Sequence, residues 1–388
     1  MTRILHLTVR ARSGGAATIA ESLRCRFESA DDCETRLFYG YETGGRRDLA
    51  WEGDHTNALA APIEWKLGLN RALFPIVGAD LLQGSRRKAL SDAWRWSDVV
   101  HLHVIHSYWL PLGTLVDLQS QWPKRVIWTM HDEWALTGRC AFTNGCQQWR
   151  SGCPSCPDLR LYPGALIDRA KHHSPDRRRD ISLILNGNVM VAVAAWQQKA
   201  LLDWYPDIDI RLIRNGVENS VDEQQPDLRR RHCGLVVGAD LASTVKFDWE
   251  LLRAAASRVS LDLVGRNPPD GPNFRPLGEL PRSAVASIYG QYDFLAFTSS
   301  VDIAPMVILE SLMQGTPVVA VASAASNELI GMVGGRTVSR AEFCQAVSDP
   351  LQVYPQVSRS ELRNAARQVF GATQMFAEYL ALYRGVSA

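Results

Sequence analysis

Short apolar segments rich in β-branched residues alternate along this chain with longer segments of helical period, and this alternation constrains the fold more than any other feature. Examples are RILHLTV, DVVHLHVI, RVIWTM and VMVAVA in the first half, and CGLVVGA, VSLDLVG, DFLAFTS and TPVVAVA in the second. A strand-helix-strand alternation of this kind is typical of parallel sheets whose two faces are covered by helices. The sequence therefore predicts an α/β fold built on parallel sheets.

The length of the chain predicts more than one domain. Its 388 residues, 46% of them hydrophobic, exceed what one hydrophobic core usually holds. A polar, proline-containing stretch at residues 214–234 interrupts the apolar pattern after an Asn-Gly step, which makes it the best candidate for an interdomain linker. We expect domains at residues 1–215 and 216–370, and a C-terminal helix at residues 371–388 that packs back on the first domain.

The charge balance restricts the partners that this chain can recruit. Lys and Arg number 42 against 41 Asp and Glu, so no overall field favours nucleic acid. The N-terminal segment lacks the pattern of a secretory signal, and no run reaches the ~18 apolar residues of a membrane span. We therefore expect a cytoplasmic protein with no nucleic-acid partner.

Residues 169–179 are a local exception, because basic side chains are concentrated there. They could contact anionic lipid at the inner face of the membrane, or a diphosphate-linked acceptor. A solvated, mobile loop is the alternative.

Four of the eight cysteines lie close together in a segment at about residues 138–160. They are spaced C-x5-C-x6-C-x2-C: Cys140, Cys146, Cys153 and Cys156. Four thiolates in one loop could close a tetrahedral zinc site, and such a closed site would be structural rather than catalytic. Free thiols or disulfides are the alternatives.

Two loops follow predicted strands in the first half of the chain. Gly14 and Gly15 connect the first strand to a helix, where a backbone without β-carbons can approach an anion at the helix start; a tight turn is the alternative. His131 follows the strand RVIWTM, at the carboxyl end where open α/β sheets place ligand-binding loops. Incidental charges in a solvated loop are the alternative here.

Three further histidines lie in or just after the strand DVVHLHVI. Metal binding is conceivable, but no cysteine lies near them in the sequence, and we expect His101, His103 and His106 to be hydrogen-bonded structural residues.

The segment SSVDIAPMVILESLMQGTPVVAV, residues 299–321, contains a helix between two buried strands. Pro305 suits the first helical position, which predicts a helix from Pro305 to Gln314 with Ala304 as its N-cap. Asp302 then lies too early to cap the helix, and Glu310 lies inside it. The helix is a crossover whose N-terminus and dipole would attract a diphosphate at the ligand-binding edge of the sheet.

The spacing Asp302-x7-Glu310, followed by SLMQGTPVVA, resembles the acidic E/D-x7-E signature of the family-4 (group 1) retaining glycosyltransferases. Nearly the whole chain follows that family's order of motifs. The segment WTMHDEWALTGRCAFTNGCQQWRSGCPSCPDL is similar to the Cys-rich insert of the colanic-acid-type branch of bacterial polysaccharide glycosyltransferases. The resemblance implies a GT-B fold, in which two Rossmann-like domains have parallel sheets that face a central cleft and a C-terminal helix crosses back to the first domain.

The resemblance also implies an activity and roles for individual residues. A sugar would pass from a nucleotide-diphosphate donor to a hydroxyl acceptor, a glycan or a lipid-linked molecule, with retention of the anomeric configuration and without a catalytic cofactor or metal. His131 and Asp302 would act on the donor sugar, and Glu310 would hold the donor ribose. The donor-binding residues implied are Gly14, Gly15, Lys246, Ile303, Ala304, Pro305, Met306 and Glu310.

The chain departs from this family's pattern at two places. Ala239 and Asp240 stand where an Arg is expected, so that Lys246 is the cation that remains of a basic pair. Ile303 and Met306 replace residues that are more often polar, which could form an apolar wall that favours a deoxy sugar. A degenerate, non-catalytic GT-B protein that binds a nucleotide or a partner protein is the main alternative, and a sugar-nucleotide epimerase is another.

Overall fold

The computed structural model describes residues 1–11, 14–29, 33–40, 65–77, 87–218, 230–354 and 357–385. Residues 219–229 of the predicted linker and residues 386–388 of the predicted C-terminal segment lie outside the described residues. The strands are β1 (Thr2–Thr8), β2 (Cys33–Tyr39), β3 (Val99–Leu102), β4 (Arg125–Met130), β5 (Val189–Ala192), β6 (Asp209–Leu212), β7 (Arg230–Asp240), β8 (Ser260–Arg266), β9 (Phe274–Gly278), β10 (Tyr292–Phe297) and β11 (Val318–Ala320).

The helices alternate with these strands along the chain. They are α1 (Gly15–Ser29), α2 (Trp65–Val77), α3 (Arg87–Trp96), α4 (Leu112–Gln121), α5 (Ala170–Leu185), α6 (Ala195–Trp204), α7 (Trp249–Ala255), α8 (Arg282–Ile288), α9 (Met306–Met313), α10 (Ala324–Gly331), α11 (Arg340–Ala346), α12 (Arg359–Phe370) and α13 (Ala372–Arg384). Within the described ranges, none of these helices combines the length and the apolar character that a membrane crossing requires.

The first compact unit comprises Met1–Ile213 together with Phe376–Ala388. Its six strands are all parallel, in the order β2-β1-β3-β4-β5-β6. The two central strands, β3 and β4, are almost wholly buried, as expected where helices cover both faces of a sheet. This arrangement brings the carboxyl ends of β1, β3 and β4 to one edge, where the loops with Gly14, His106 and His131 begin.

The end of the chain packs on this first sheet. The Tyr383 hydroxyl lies 2.7 Å from His101 Nδ1 on β3, and the Tyr379 hydroxyl lies 2.8 Å from Thr129 Oγ1 on β4. The ring of Phe376 meets Phe27 of α1 edge-on at 6.1 Å. The apolar and aromatic stripe of α13 therefore crosses back to the first unit, as the fold prediction states.

The second compact unit comprises Arg214–Met375. Its five strands are also parallel, in the order β11-β10-β7-β8-β9. One buried carboxylate supports the sheet: Asp262 on β8 accepts hydrogen bonds from Arg275 Nε at 2.9 Å and from the Tyr292 hydroxyl at 2.6 Å. Two parallel sheets with helices between their strands confirm the predicted α/β class.

Helix α9 is shorter than the sequence predicts. It runs from Met306 to Met313, and its N-cap is Pro305 rather than Ala304. Pro305 has an extended backbone, with φ −65° and ψ 116°, and its carbonyl accepts a hydrogen bond from Ile308 N at 3.1 Å. Proline therefore immediately precedes the helix instead of occupying its first turn. Gly315 follows the helix with φ +70°, where a β-carbon would lie 2.3 Å from the Arg359 carbonyl oxygen, so only glycine fits.

Candidate functional site

The loop between β1 and α1 presents exposed backbone. Gly14 has φ +95°, and among the described residues a β-carbon added to it would meet no atom within 4 Å. Helix α1 begins at Gly15, and both glycines are exposed. The first N–H groups of a helix have no intrahelical partner, so this turn combines open space with donors that the helix itself does not use. It is the geometry that an anion-binding turn requires.

The loop that carries His131 is fixed by a glutamine that the sequence patterns do not indicate. Gln197 of α6 is fully buried, and its side-chain amide donates to the carbonyls of Met130 at 3.0 Å and Asp132 at 3.1 Å. Its own carbonyl accepts from Val193 N at 3.0 Å. This clamp holds the backbone on both sides of His131 in one conformation.

The carboxylate of Asp132 forms hydrogen bonds within the protein rather than pointing into solvent. His106 Nε2 lies 2.6 Å from Asp132 Oδ2, and Trp134 N donates to Asp132 Oδ1 at 3.0 Å. Burial alone would raise the pKa of Asp132, but the His106 charge and hydrogen bond, with the Trp134 N–H, hold it below its ordinary value. His106 also bonds Ser107 Oγ at 2.7 Å. Asp132 is therefore a structural carboxylate of this loop.

His131 itself is the end of a chain of imidazoles. His131 Nε2 lies 3.0 Å from His103 Nδ1, and His103 Nε2 lies 3.2 Å from His6 Nδ1. Burial lowers the pKa of His131 to about 4 and that of His6 to about 3, and it lowers the pKa of His103 well below its ordinary value. These rings are therefore neutral at physiological pH.

His101 is a further buried histidine, beside this row of imidazoles. Its Nδ1 lies 2.7 Å from the Tyr383 hydroxyl and its Nε2 lies 2.8 Å from Thr129 Oγ1. The prediction that His101, His103 and His106 are hydrogen-bonded is thus confirmed. His6 was missed, although a histidine inside the apolar run RILHLTV was the available signal.

The four cysteines of the insert lie close enough for their charges to influence one another, but their sulfurs are not arranged as the ligands of one metal ion. Gly138 N donates to Cys153 Sγ at 3.2 Å, and Gln148 N donates to Cys146 Sγ at 3.4 Å. Arg139 Nη2 donates to Cys156 Sγ at 3.4 Å, and burial raises the pKa of Cys140 to about 11. Within the described ranges, no three of the four sulfurs lie within 4.8 Å of one another. The zinc site stays a prediction.

In the second unit, two of the predicted site residues contact each other. Lys246 Nζ lies 2.5 Å from Asp302 Oδ1, with the lysine side chain 47% exposed and the aspartate side chain 19% exposed. Asp302 lies four positions before the first residue of α9, and its contact places Lys246 beside it. Next to them, Asn215 Nδ2 donates to the Ala304 carbonyl at 3.4 Å. The structure therefore places a cation, a carboxylate and an amide around the start of this helix.

Glu310 is held from two sides on the second turn of α9. The buried Tyr289 hydroxyl donates to Glu310 Oε2 at 3.0 Å, and Arg282 Nη2 lies 3.8 Å from Glu310 Oε1. Burial raises the pKa of Glu310, while Arg282 and the Tyr289 hydroxyl act in the opposite direction. Tyr289 and Arg282 were missed from sequence, because a tyrosine and an arginine about 20 to 30 positions away carry no local signal.

The residues between the two acidic groups are mostly buried. Ile303 is 5% exposed and Met306 is 9% exposed, and Pro305 is buried as well. Their side chains are thus packed against the rest of this unit, whereas Asp302 and Ala304 are partly exposed.

The position of the missing arginine is occupied by a different interaction. Asp240 Oδ1 accepts from Ala242 N and from Asn267 Nδ2, each at 3.1 Å, which keeps the pKa of Asp240 below its ordinary value. A cation from the next strand lies beside it: Arg266 Nε donates to the Ala239 carbonyl at 3.1 Å. Arg266, at the end of β8, is a further charged residue that sequence reasoning missed.

The basic stretch at residues 169–179 lies mainly on helix α5, so the alternative of a mobile loop is wrong. Arg177 is not available to an outside partner, since it is buried and donates to the carbonyls of Trp134 at 3.0 Å and Thr137 at 2.7 Å. Arg178 lies exposed over the Trp204 ring at 3.7 Å, and Lys171 is exposed. The exposed basic surface is therefore smaller than the sequence suggests.

Comparisons with known proteins agree with this architecture. No protein-family model matches the sequence. Over 411 aligned residues, the chain is 31% identical to a protein of Escherichia coli (strain K12) that is named as a colanic acid biosynthesis glycosyl transferase, WcaC; the match covers 99% of this chain and 100% of that protein.

Solved structures show the same fold at low sequence identity. Sucrose-phosphate synthase from Thermosynechococcus elongatus has a TM-score of 0.66 at 16% identity, over 99% of both chains. HepE of Anabaena, solved in complex with UDP-glucose, has a TM-score of 0.59 at 15% identity, over 98% of this chain and 100% of that one. A trehalose 6-phosphate synthase from Burkholderia multivorans has a TM-score of 0.58 at 12% identity, over 99% and 97% of the two chains. These likenesses confirm the predicted GT-B fold.

Proposed function

Because this chain belongs to the glycosyltransferase family of WcaC, we propose that it transfers a sugar from a nucleotide-diphosphate donor to a hydroxyl acceptor in polysaccharide biosynthesis. The observation that carries the proposal is the grouping of Lys246, Asp302 and Glu310 on and before one helix of a GT-B domain. HepE, a structural neighbour, was solved with UDP-glucose, which supports a nucleotide sugar as the donor.

In this proposal, Glu310 binds the donor ribose. Tyr289 and Arg282 hold its carboxylate, so that the group has a fixed direction before a ligand arrives. A carboxylate has two acceptor oxygens, so it can accept a hydrogen bond from each of the two ribose hydroxyls. The raised pKa of Glu310 makes these bonds sensitive to mild acid, since a protonated carboxyl group is a poorer acceptor.

The diphosphate leaving group is the centre of the chemistry we propose. Negative charge develops on it as the glycosidic bond breaks, so cations and N–H groups directed at it lower the barrier. In the second unit, Lys246 supplies a cation and Arg266 a second one beside the Ala239 carbonyl. The family resemblance is the reason that we also assign backbone N–H groups of Gly14 and Gly15 to the diphosphate. These groups make a metal ion unnecessary for the step.

We infer that transfer proceeds with retention of the anomeric configuration. Asp302 would bind the donor sugar hydroxyls, together with the backbone at Ile303 and Ala304, and His131 would donate a hydrogen bond near the reacting carbon. A neutral imidazole can act as such a donor without adding charge, and burial keeps His131 neutral.

We propose a cytoplasmic reaction at the inner face of the membrane, on a glycan or lipid-linked acceptor. The exposed residues Lys171 and Arg178 of α5 support contact with anionic headgroups, whereas Arg177 takes no part because its guanidinium is buried. The four cysteines would hold a structural zinc ion that fixes their loop, with no role in the transfer step.

The experiment that tests the proposal measures donor binding and transfer separately. A panel of nucleotide-diphosphate sugars is titrated calorimetrically into the purified chain and into the Glu310→Gln variant, with Glu250→Gln as a matched exposed control. We expect one donor to bind, with loss of affinity only in Glu310→Gln. The same donor should then be consumed, by hydrolysis or transfer, with the anomeric configuration of the product read by NMR.

Two outcomes would count against it. If no nucleotide sugar binds, or if Glu310→Gln binds as the unaltered chain does, the donor-site assignment is wrong. If a donor binds but no acceptor ever gains a sugar and no donor is hydrolysed, the non-catalytic alternative replaces the proposal.

A further inference from the structure

Three histidines from different parts of the chain form a continuous row of hydrogen-bonded rings. The row runs from His6 on β1 through His103, just after β3, to His131, just after β4, with N–N distances of 3.2 and 3.0 Å. His6 and His103 are almost completely buried, whereas His131 is partly exposed. The row thus links the interior of the first unit to the loop surface.

Each link in this row needs one nitrogen that carries a proton and one that does not. A neutral imidazole has one N–H and one bare nitrogen, so the choice at one ring fixes the choice at the next. Either all three rings carry the proton on Nδ1, or all three carry it on Nε2. The row therefore has two states of opposite direction.

The buried end of the row decides between these states. His6 Nε2 is inaccessible to solvent and has no hydrogen-bond partner in the part of the chain that the structure describes. With protons on Nε2, this atom would be a buried N–H without an acceptor, which is among the least tolerated groups in a protein interior. With protons on Nδ1, the atom is a bare acceptor, which costs less.

We propose that His6 and His103 are positioning residues that fix His131 in the Nδ1–H tautomer, so that His131 presents an N–H donor to its ligand. This inference rests on the proposed function and adds a detail to it. The group that His131 Nδ1–H binds is an oxygen atom of the donor sugar or of its diphosphate. The low pKa values of His6, His103 and His131 agree with a row that holds no extra proton.

A metal ion is the competing explanation for the buried end of the row. Ring nitrogens of His6, His101 and His103 lie within 4.8 Å of one another. However, both nitrogens of His101 are already bonded, to the Tyr383 hydroxyl at 2.7 Å and to Thr129 Oγ1 at 2.8 Å. A metal would have to displace one of these bonds and the His6–His103 link.

Long-range ¹H–¹⁵N NMR of the full chain with labelled histidine tests the proposal directly, because the ¹⁵N shifts report which ring nitrogen carries the proton. The His131 signals are identified by their loss in His131→Asn. We expect His131 to be in the Nδ1–H form, although a free neutral histidine prefers Nε2–H. An Nε2–H form in the unaltered chain would overturn the proposal.

A pair of substitutions at the far end of the row separates relay from mere packing. His6→Asp adds a carboxylate that should accept a hydrogen bond from His103 Nε2–H, so the proton of each remaining ring should move to Nε2 and His131 should change to the Nε2–H form. His6→Leu removes the ring without adding an acceptor, and His131 should keep Nδ1–H. A change in His131 in His6→Leu, or none in a folded His6→Asp, contradicts the relay. If His6→Asp does not fold, the unaltered chain and His6→Leu still decide.

Two further measurements distinguish this inference from a metal site and from the proposed function. Zinc that survives dialysis against a chelator and is lost in His6→Leu would replace the row by a metal site. Addition of a donor that binds by calorimetry should shift the His131 Nδ1 signal; binding without that shift would overturn the donor role of His131 and leave the proposed function intact. The tautomer itself needs no ligand, so it can hold even if no nucleotide sugar binds.

Discussion

Lys246 Nζ lies 2.5 Å from Oδ1 of Asp302, although the two residues are 56 positions apart in the chain. An ion pair this exposed adds at most about 1 kcal/mol to stability. We therefore propose that the ion pair contributes to ligand binding rather than to stability. It keeps the Lys246 ammonium group beside the start of α9, where a bound diphosphate would contact both the lysine and the positive end of the helix dipole.

Lys246→Met should weaken binding of the nucleotide-diphosphate donor. Loss of a charged hydrogen bond costs about 1.5–3 kcal/mol, which corresponds to a rise in Kd of about ten- to a hundredfold. Calorimetry measures this Kd, and the exposed Lys199→Met serves as a control that should bind normally. An equal Kd in Lys246→Met and the unaltered chain would remove Lys246 from the donor site.

Glu310→Gln should change how stability depends on pH. Burial raises the folded-state pKa of Glu310, so ionisation destabilises the folded state. The unaltered chain should therefore lose stability relative to Glu310→Gln as pH rises from about 4.3, the ordinary value of a Glu, through the raised pKa. Thermal unfolding of both proteins across this range measures the difference. A difference in Tm that is constant with pH would show that the carboxyl is not perturbed.

His106→Leu should destabilise the loop that carries His131. It leaves the Asp132 carboxylate without its 2.6 Å partner, at a cost of about 1.5–3 kcal/mol. Because the folded-state pKa of Asp132 is lowered, its contribution is present above the ordinary Asp pKa and is lost as pH falls through the lowered value.

Denaturant unfolding at neutral pH measures this cost, and His172→Leu, at an exposed position of α5, is the control. Equal unfolding free energies for His106→Leu and the control would mean that Asp132 does not depend on His106.

The zinc prediction is tested by metal analysis of the purified chain. We expect one zinc per chain, lost in Cys153→Ser and kept in Cys25→Ser, because Cys25 is an exposed cysteine on α1, outside the insert. The N–H groups that already donate to Cys146 and Cys153 would stabilise bound thiolates. A chain free of zinc whose four thiols all react with a thiol reagent would favour the free-thiol alternative.

Lys171→Gln combined with Arg178→Gln should reduce sedimentation with vesicles that contain anionic lipid. Each exposed cation near such a surface contributes about 1 kcal/mol, so the pair should lower the partition coefficient by about tenfold or more at low salt. Arg253→Gln, an exposed arginine of the second unit, is the control. Equal sedimentation of all variants would remove α5 as a membrane contact.

Much of the site lay within reach of sequence because it follows strand ends. Gly14 lies in the loop after an apolar strand, His131 comes directly after another, and Glu310 lies on a helix between two such strands. The start of that helix was misplaced by one residue because the carbonyl of Pro305, rather than that of Ala304, accepts the first hydrogen bond. Such a choice depends on backbone angles that proline restricts but does not fix.

The partners of these residues could not be read in the same way. His6 and His103 are 97 positions apart, Gln197 reaches Asp132 from 65 positions away, and Tyr289 meets Glu310 from 21. Nothing local marks such residues, because a buried polar side chain is defined by the atom that satisfies it.

The sequence by itself determined the α/β class, the order of the elements and the segments that end in polar loops, because hydrophobic periodicity and turn residues act over a few positions. Only the tertiary structure decided which way Asp132 turns, that Arg177 is buried, and that His131 ends a row of neutral imidazoles. Those outcomes depend on parallel strands that bring distant segments to one sheet edge, where burial and hydrogen bonding set the charge and direction of each side chain.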